Sequence, residues 1–298
     1  MVDTTAQQAL AECLARGDAG HQYHTDCPVC HNSEASVYVQ RPKVLWVKCP
    51  CGVIYKQWSA EAHTVSAPFD PAATHYSTRW GRRVAKSRNQ IRDVLNFVSR
   101  GPVLDIGCSL GYTIHAAQQL GLKAQGVEYD PGVAQYCRSK GYAVETGSMT
   151  NLPFDSNAFQ IVVMKHVLEH THEPSSALRE VWRVLKPNGG LMIAVPDGRY
   201  GKAIRDPYHC RFFDYADPDT GHCIYYTPTT LARLVVDCGF SVAHLHPQLI
   251  HRTAPAPLIA AQIVASPLTW LVERFRDAAH VRKEFWLVAV KRDHPQSA

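Results

Sequence analysis

Val103-Leu104-Asp105-Ile106-Gly107-Cys108-Ser109-Leu110-Gly111 reads as a short buried strand ending in a glycine turn, and Tyr112 opens a helix directly after it. Strand, glycine turn and helix in this order make the first crossover of a doubly wound α/β sheet, whose ligands sit at the carboxyl ends of the strands. The next strand, Ala124 to Val127, runs into Glu128. An acid roughly twenty residues past such a turn is placed to accept hydrogen bonds from a ribose diol. A dinucleotide fingerprint would need glycines at 107, 109 and 112, and two of these positions hold Ser109 and Tyr112. A carboxylate at the strand tip, Asp105, would repel a pyrophosphate but suits the positively charged amino end of a sulfonium cofactor.

The segment from about Gly101 to Gly198 resembles the class I S-adenosylmethionine-dependent methyltransferases, in particular their UbiE/UbiG-like small-molecule branches. The family's acid and three spaced glycines stand here as Asp105, Gly107, Ser109 and Gly111, with serine in place of the middle glycine. The resemblance implies that Asp105 and the turn from Gly107 to Gly111 hold the methionine end of S-adenosylmethionine and that Glu128 holds its ribose. Gly147-Ser148-Met149-Thr150 is similar to the family's segment after the third strand. There Ser148, where the family has an aspartate, is expected to hydrogen-bond the adenine and Met149 to pack on its face. The fold implied is a Rossmann-like, seven-stranded, mostly parallel sheet flanked by helices.

Ile161 to Lys165 reads as the fourth strand, and His166-Val167-Leu168-Glu169-His170 follows at its carboxyl edge. This run resembles the family segment whose first residue, His166 here, lines the cofactor pocket and whose later residues shape the acceptor site; Glu169 and His170 also have a purely structural reading. Methyl transfer is an in-line displacement, so a base is needed only for an acceptor whose proton has a high pKa. His166 and His170 titrate near neutrality and are candidates for that base. The third is His222, in Gly221-His222-Cys223-Ile224-Tyr225-Tyr226-Thr227-Pro228, which resembles a family segment that returns a histidine and aromatics over the site. A structural histidine is the alternative.

Glu173 to Leu185 predicts a helix, Lys186 to Gly190 a turn and Leu191 to Val195 the fifth strand. A long insert follows at about 196–228, carrying Tyr200, Tyr208, His209, Arg211, Phe212, Phe213 and His222. Long loops at the active edge of a sheet tend to be functional, so this one is expected to form the acceptor pocket or its lid. Thr229 to Cys238 and Ala256 to Asp277 read as helices, Ser241 to His246 and Glu284 to Lys291 as strands, which completes seven.

Ahead of this domain, Cys27-Pro28-Val29-Cys30 and Cys49-Pro50-Cys51-Gly52 are separated by eighteen residues rich in β-formers. Two tight cysteine turns on facing hairpin loops place four thiolates, Cys27, Cys30, Cys49 and Cys51, around one tetrahedral Zn2+. The second pair is one residue shorter than a usual knuckle, and a redox-active pair is the competing reading. Four protein ligands leave no open position, so the zinc is expected to be structural. From His75 to Arg100, Trp80, Val84, Ile91, Leu95 and Val98 recur at helical spacing, with Arg79, Arg82, Arg83 and Lys86 on another face that reads as solvated rather than as an anion clamp. The chain thus divides into an N-terminal extension (1–24), a zinc-ribbon module (25–58), a linker with an amphipathic helix (59–100) and the Rossmann-like domain (101–298).

Of 298 residues, 46% are apolar and 19% charged, the balance of a folded protein with room for one large domain and a small appendage. The net charge of +5 is too modest to decide a partner. The start lacks the pattern of a secretory signal, so a cytoplasmic location is expected, and Ala254 to Leu271, interrupted by Pro257, Gln262 and Pro267, makes a poor membrane span. Zinc-ribbon fusions to this core are similar to enzymes that modify sugars and natural products, which implies a small-molecule acceptor, sugar-containing or a secondary metabolite. An RNA acceptor, supported by the basic helix, and a noncatalytic binding protein are the alternatives; no DNA partner is expected.

Overall fold

In the computed structural model of the chain the described residues are 21–22, 26–41, 44–59, 80–198, 221–246 and 284–292, with residue 11 described in isolation. Most of the N-terminal extension, Arg79, residues 199–220 of the insert and the expected helix at 256–277 lie outside them.

Four strands, β1 (His21–Gln22), β2 (Ser36–Arg41), β3 (Val44–Lys48) and β4 (Ile54–Ser59), form an antiparallel sheet in the order β1-β4-β3-β2. Alternate residues of a strand face opposite sides, and β3 uses both. Val44 and Trp46 pack with Ile54 and Tyr225, whereas Leu45 and Val47 join the main core. A fifth strand reaches this sheet from the far end of the chain.

The second sheet contains β5 (Val103–Ile106), β6 (Ala124–Glu128), β7 (Val144–Thr146), β8 (Phe159–Lys165), β9 (Leu185–Pro196), β11 (Phe240–His246) and β12 (Glu284–Lys291) in the order β11-β12-β9-β8-β5-β6-β7. The five strands from β7 to β9 are parallel; β12 runs antiparallel to both β9 and β11. This is the Rossmann-like, mostly parallel, seven-stranded sheet expected from the sequence. Among the described residues the α-helices are α1 (Trp80–Leu95), α2 (Tyr112–Gln119), α3 (Pro131–Ser139), α4 (Pro174–Val184) and α5 (Pro228–Asp237). Strands covered on both faces are apolar throughout, and the period of two sorts their residues. Val103, Ile161, Val163, Met192 and Ala194 pack with α1 and α2, while Leu104, Ile106, Val162, Met164, Leu191 and Ile193 share a core with α4, α5 and the cysteine segment. The chain moves outward from β5 to β7 and then returns to β8, so the strand order reverses between β5 and β8. Ligands of doubly wound sheets bind at that crevice.

Three local expectations change. The turn at 186–190 is absorbed into β9, whose pairing with β8 jumps from Phe159↔Leu185 to Ile161↔Gly190, so residues 186–189 bulge. Asn188 takes a left-handed conformation there, with φ 57°. The α1 helix is described from Trp80 and ends at Leu95 rather than continuing to Arg100. Its basic stripe is not simply solvated: Arg83 lies over the Tyr112 ring at 5.1 Å, and Lys86 forms an ion pair with Glu284. Among the described residues no helix is long and apolar enough to cross a membrane.

The fifth strand of the front sheet is β10 (Ile224–Tyr225), which pairs antiparallel with β4 through Ile224↔Tyr55 and Tyr225↔Ile54. Lys56 N–H also donates to the Cys223 carbonyl at 2.9 Å. The cysteine segment therefore holds the returning end of the insert.

Candidate active site

The glycine turn leaves β5 at the switch point. Gly107 has φ +66°, and a Cβ there would stand 2.5 Å from Val167 Cγ2, so the position needs both the left-handed backbone and the missing side chain. Gly107→Ala is expected to cost roughly 2–4 kcal/mol, from left-handed strain plus overpacking. Urea denaturation checks this, and a loss under 1 kcal/mol would mean that Val167 yields without cost. Ser109, at the family's middle glycine, also adopts the left-handed conformation, with φ 48°.

Glu128, at the tip of β6, is braced by that turn. Ser109 N–H donates to its Oε2 at 2.9 Å and Tyr129 N–H to its Oε1 at 2.9 Å. The replaced glycine thus still serves the ribose candidate through its backbone. Asp105 is buried beneath the turn, and burial pushes its pKa up to about 7 despite the opposing charge of Lys165. Lys165, at the end of β8, donates to Ser87 Oγ of α1 at 2.6 Å and lies 3.4 Å from Thr113 Oγ1. Burial lowers the pKa of its ammonium group, and Asp105 opposes that shift. The methionine-end candidate therefore sits in an Asp105–Thr113–Lys165–Ser87 network. Ser148 and Met149 lie after β7. The Ser148 hydroxyl contacts Thr150 Oγ1 at 2.9 Å, and Met149 packs on the main core.

At the end of β8, His166 is a non-glycine residue at φ 55°. Strained backbone of this kind clusters at functional sites. Its Nε2 lies 2.7 Å from Glu284 Oε2 of β12, and its Nδ1 lies 3.3 Å from Glu169 Oε1. Glu169 and His170 follow on the 3-10 turn Leu168–His170. The insert's returning end docks against that turn: Cys223 N–H donates to the Glu169 carbonyl at 2.7 Å, and the Tyr226 hydroxyl donates to the Leu168 carbonyl at 3.4 Å. His222 consequently meets His170, with ring centroids 4.7 Å apart. All three base candidates thus surround Glu169. Burial lowers the His222 pKa to about 4, so its imidazole is neutral at pH 7. For Glu169, burial pushes the pKa upward, yet His166, His170 and His222 together hold it below the ordinary carboxylate range. Of the insert's other candidates, Tyr200, Tyr208, His209, Arg211, Phe212 and Phe213 lie outside the described residues.

Sequence reasoning singled out neither Lys165 nor Glu284 as site residues. Lys165 ends an apolar strand, a local signal that a charge is held at the sheet's edge. Glu284 lies 118 residues from His166, and no local pattern links them.

The four cysteines form a second constellation. Cys27 and Cys51 Sγ atoms are 3.8 Å apart, Cys30 and Cys49 Sγ atoms 3.5 Å apart, and all four lie within 4.8 Å of one another. Tetrahedral zinc–thiolate bonds of about 2.3 Å place sulfurs about 3.8 Å apart, so the donor set fits the metal. Gly52, at φ +101°, lets the second turn close, and its N–H donates to the Cys49 carbonyl at 2.9 Å. Burial pushes the Cys49 thiol up to about 12, so a nearby cation is needed to keep it ionised.

Residues 104–193 match the family described as "Methyltransferase domain". Among curated proteins, norajmaline N-methyltransferase of Rauvolfia serpentina is 29% identical over 142 residues, covering 42% of this chain and 48% of its own. Demethylmenaquinone methyltransferase of Renibacterium salmoninarum is 29% identical over 136 residues, 44% of this chain and 57% of its own. The chain spans about half the length of the curated relatives it matches. Among solved structures, a SAM-dependent methyltransferase of Archaeoglobus fulgidus superposes with TM-score 0.51 at 17% identity, covering 74% of this chain and all of its own. A chain of the complex between the Haloferax volcanii Trm112 methyltransferase activator and a methyltransferase gives TM-score 0.51 at 20% identity, covering 77% and 100%. These structural likenesses bear on the fold, which agrees with the sheet order described above. Residues 104–193 are thus similar to that methyltransferase-domain family, and they lie within a Rossmann-like, mostly parallel seven-stranded sheet.

Proposed function

We propose that the chain transfers the methyl group of S-adenosylmethionine to a small-molecule acceptor. The observation that carries this reading is the pair of carboxylates, Asp105 and Glu128, at the carboxyl ends of adjacent strands on either side of the Gly107–Gly111 turn. Asp105 faces the cofactor's amino end and Glu128 its ribose, while Ser148 and Met149 meet the adenine. The methyl then lies toward His166, where the strand order reverses. Displacement at the sulfonium carbon needs alignment and exclusion of water above all. Where the acceptor atom carries a proton of high pKa, His166, beside Glu169, relays it to solvent.

Two curated relatives are named for small organic acceptors, norajmaline and demethylmenaquinone, which favours an acceptor of that size. The RNA reading loses support, since Arg83 and Lys86 of its basic stripe are engaged with Tyr112 and Glu284. Cys27, Cys30, Cys49 and Cys51 hold a structural Zn2+ that fixes the front sheet.

Calorimetric titration with the product S-adenosylhomocysteine tests the reading. Micromolar affinity is expected, falling roughly 10- to 100-fold in Glu128→Gln, which loses a charge-assisted bond worth about 1.5–3 kcal/mol. No binding by folded, zinc-loaded protein would refute the reading.

A further inference from the structure

We propose that Glu169, His170 and His222 form a second metal site, separate from the cysteines, that takes a divalent transition ion. One ligand atom from each residue lies within 4.8 Å of the others. Around an ion with bonds of about 2.0–2.1 Å, such atoms stand about 3.3 Å apart, so closing the site requires side-chain movement on the order of 1 Å.

Three further observations support it. First, Glu169 is fully buried, and its Oε2 has no hydrogen-bond partner among the described residues, while Oε1 faces only His166 Nδ1 at 3.3 Å. A buried carboxylate oxygen without a partner is costly, and a cation relieves that cost. Second, the two histidines have the second shell that metal ligands carry. A ligating imidazole uses one ring nitrogen on the ion and anchors the other on a carbonyl or another oxygen. His170 Nδ1 lies 3.0 Å from the Gly221 carbonyl oxygen, and His222 Nδ1 lies 3.2 Å from the Tyr225 hydroxyl. His166 in turn orients Glu169, and Glu284 fixes His166. Third, the backbones of both ligand segments are tied together by the Cys223 N–H to Glu169 carbonyl bond, so the ligands are held before any ion arrives.

Two nitrogens and one carboxylate oxygen suit zinc-class and neighbouring ions rather than calcium. Unlike the four cysteines, three protein ligands leave coordination positions open. An ion here would accept an acceptor hydroxyl and lower its pKa. The O–H proton leaves to solvent, the oxygen bonds the methyl carbon, and the C–S electron pair stays on sulfur. This catalytic use rests on the methyltransferase reading; the existence of the site does not.

Full-length protein, dialysed against a mild chelator that leaves the cysteine site loaded, is assayed for zinc by mass spectrometry and titrated with Co2+. The expected result is one further ion per chain beyond the cysteine site. It is either retained zinc or cobalt whose visible bands lack thiolate-to-metal charge transfer. Glu169→Gln and His222→Gln are each expected to abolish this second equivalent while keeping the first and the thermal melt. A wild-type protein that stops at one metal per chain overturns the inference, as do folded variants that keep the second. If S-adenosylhomocysteine binds protein holding only the cysteine metal, this inference alone fails. If the second metal binds but S-adenosylhomocysteine does not, the methyltransferase reading alone fails.

Discussion

Cys49→Ser is expected to release the zinc proposed for the four cysteines and unfold the front sheet, and the damage should not stop there. A structural zinc contributes about 10–16 kcal/mol in isolated zinc-finger peptides, and the cysteine segment alone is too short to bury a core. Its strands do not stand apart, however. Leu45, Val47, Tyr55 and Trp58 share a core with Leu168, Ile193 and Tyr226, and β4 supplies the backbone partners of Ile224 and Tyr225. Losing the metal should therefore free the chain around His222 and pull it from Glu169 and His170. Asp105, Glu128 and the glycine turn belong to β5 and β6, so product affinity should change by only a few-fold. Hydrogen exchange followed by mass spectrometry reads both halves. Protection over 44–59 and 223–226 should fall at least roughly 100-fold, the scale of a change from a core to a locally open segment, while 103–106 stays protected. Unchanged protection at 223–226 would show that the cysteine module does not hold the returning end of the insert.

What was readable in the sequence was local. Val103 to Gly111 carries its meaning within nine residues, because a buried strand, a glycine at φ +66° and a following helix each leave a residue-level mark. The four cysteines are legible for the same reason, since each pair of ligands sits on one turn. The His166–His170 run drew notice from its position after a strand, yet its geometry depends on distant partners. Glu284 arrives on β12 and His222 on the far side of the insert, and no periodicity encodes their meeting with Glu169. The pairing of β10 with β4 was invisible for the same reason, because two residues make too short a strand to show alternation. The partners of the basic stripe of α1 were hidden for a different one. Charge on a helix face says nothing about which neighbour it meets, and Lys86 meets a carboxylate contributed from the last strand.

Asp105 should make cofactor binding depend on pH near neutrality, a range in which an exposed aspartate, already ionised well below pH 6, would leave affinity level. Burial raises its pKa from 3.8 to about 7 in the ligand-free protein. The folded state therefore binds a proton more tightly than the unfolded chain. By linkage, this group's contribution to stability is present below pH 3.8, declines as the pH rises toward 7, and is level above that. An incoming ammonium group demands the opposite protonation state. Below pH 7 the carboxyl must lose its proton for the amino end of S-adenosylhomocysteine to be held by a charge, so binding should release a proton and affinity should fall up to about tenfold per pH unit. Calorimetry at pH 6 in buffers of different ionisation enthalpy measures that proton directly. Asp105→Asn preserves the shape and removes the titration. It should weaken binding roughly 10- to 100-fold at pH 7.5, where a charge-assisted bond is lost, and flatten the profile between pH 5.5 and 7.5. A wild-type affinity that stays constant over that range, with no proton released, would mean that Asp105 braces Lys165 and Thr113 beneath the turn instead of meeting the cofactor.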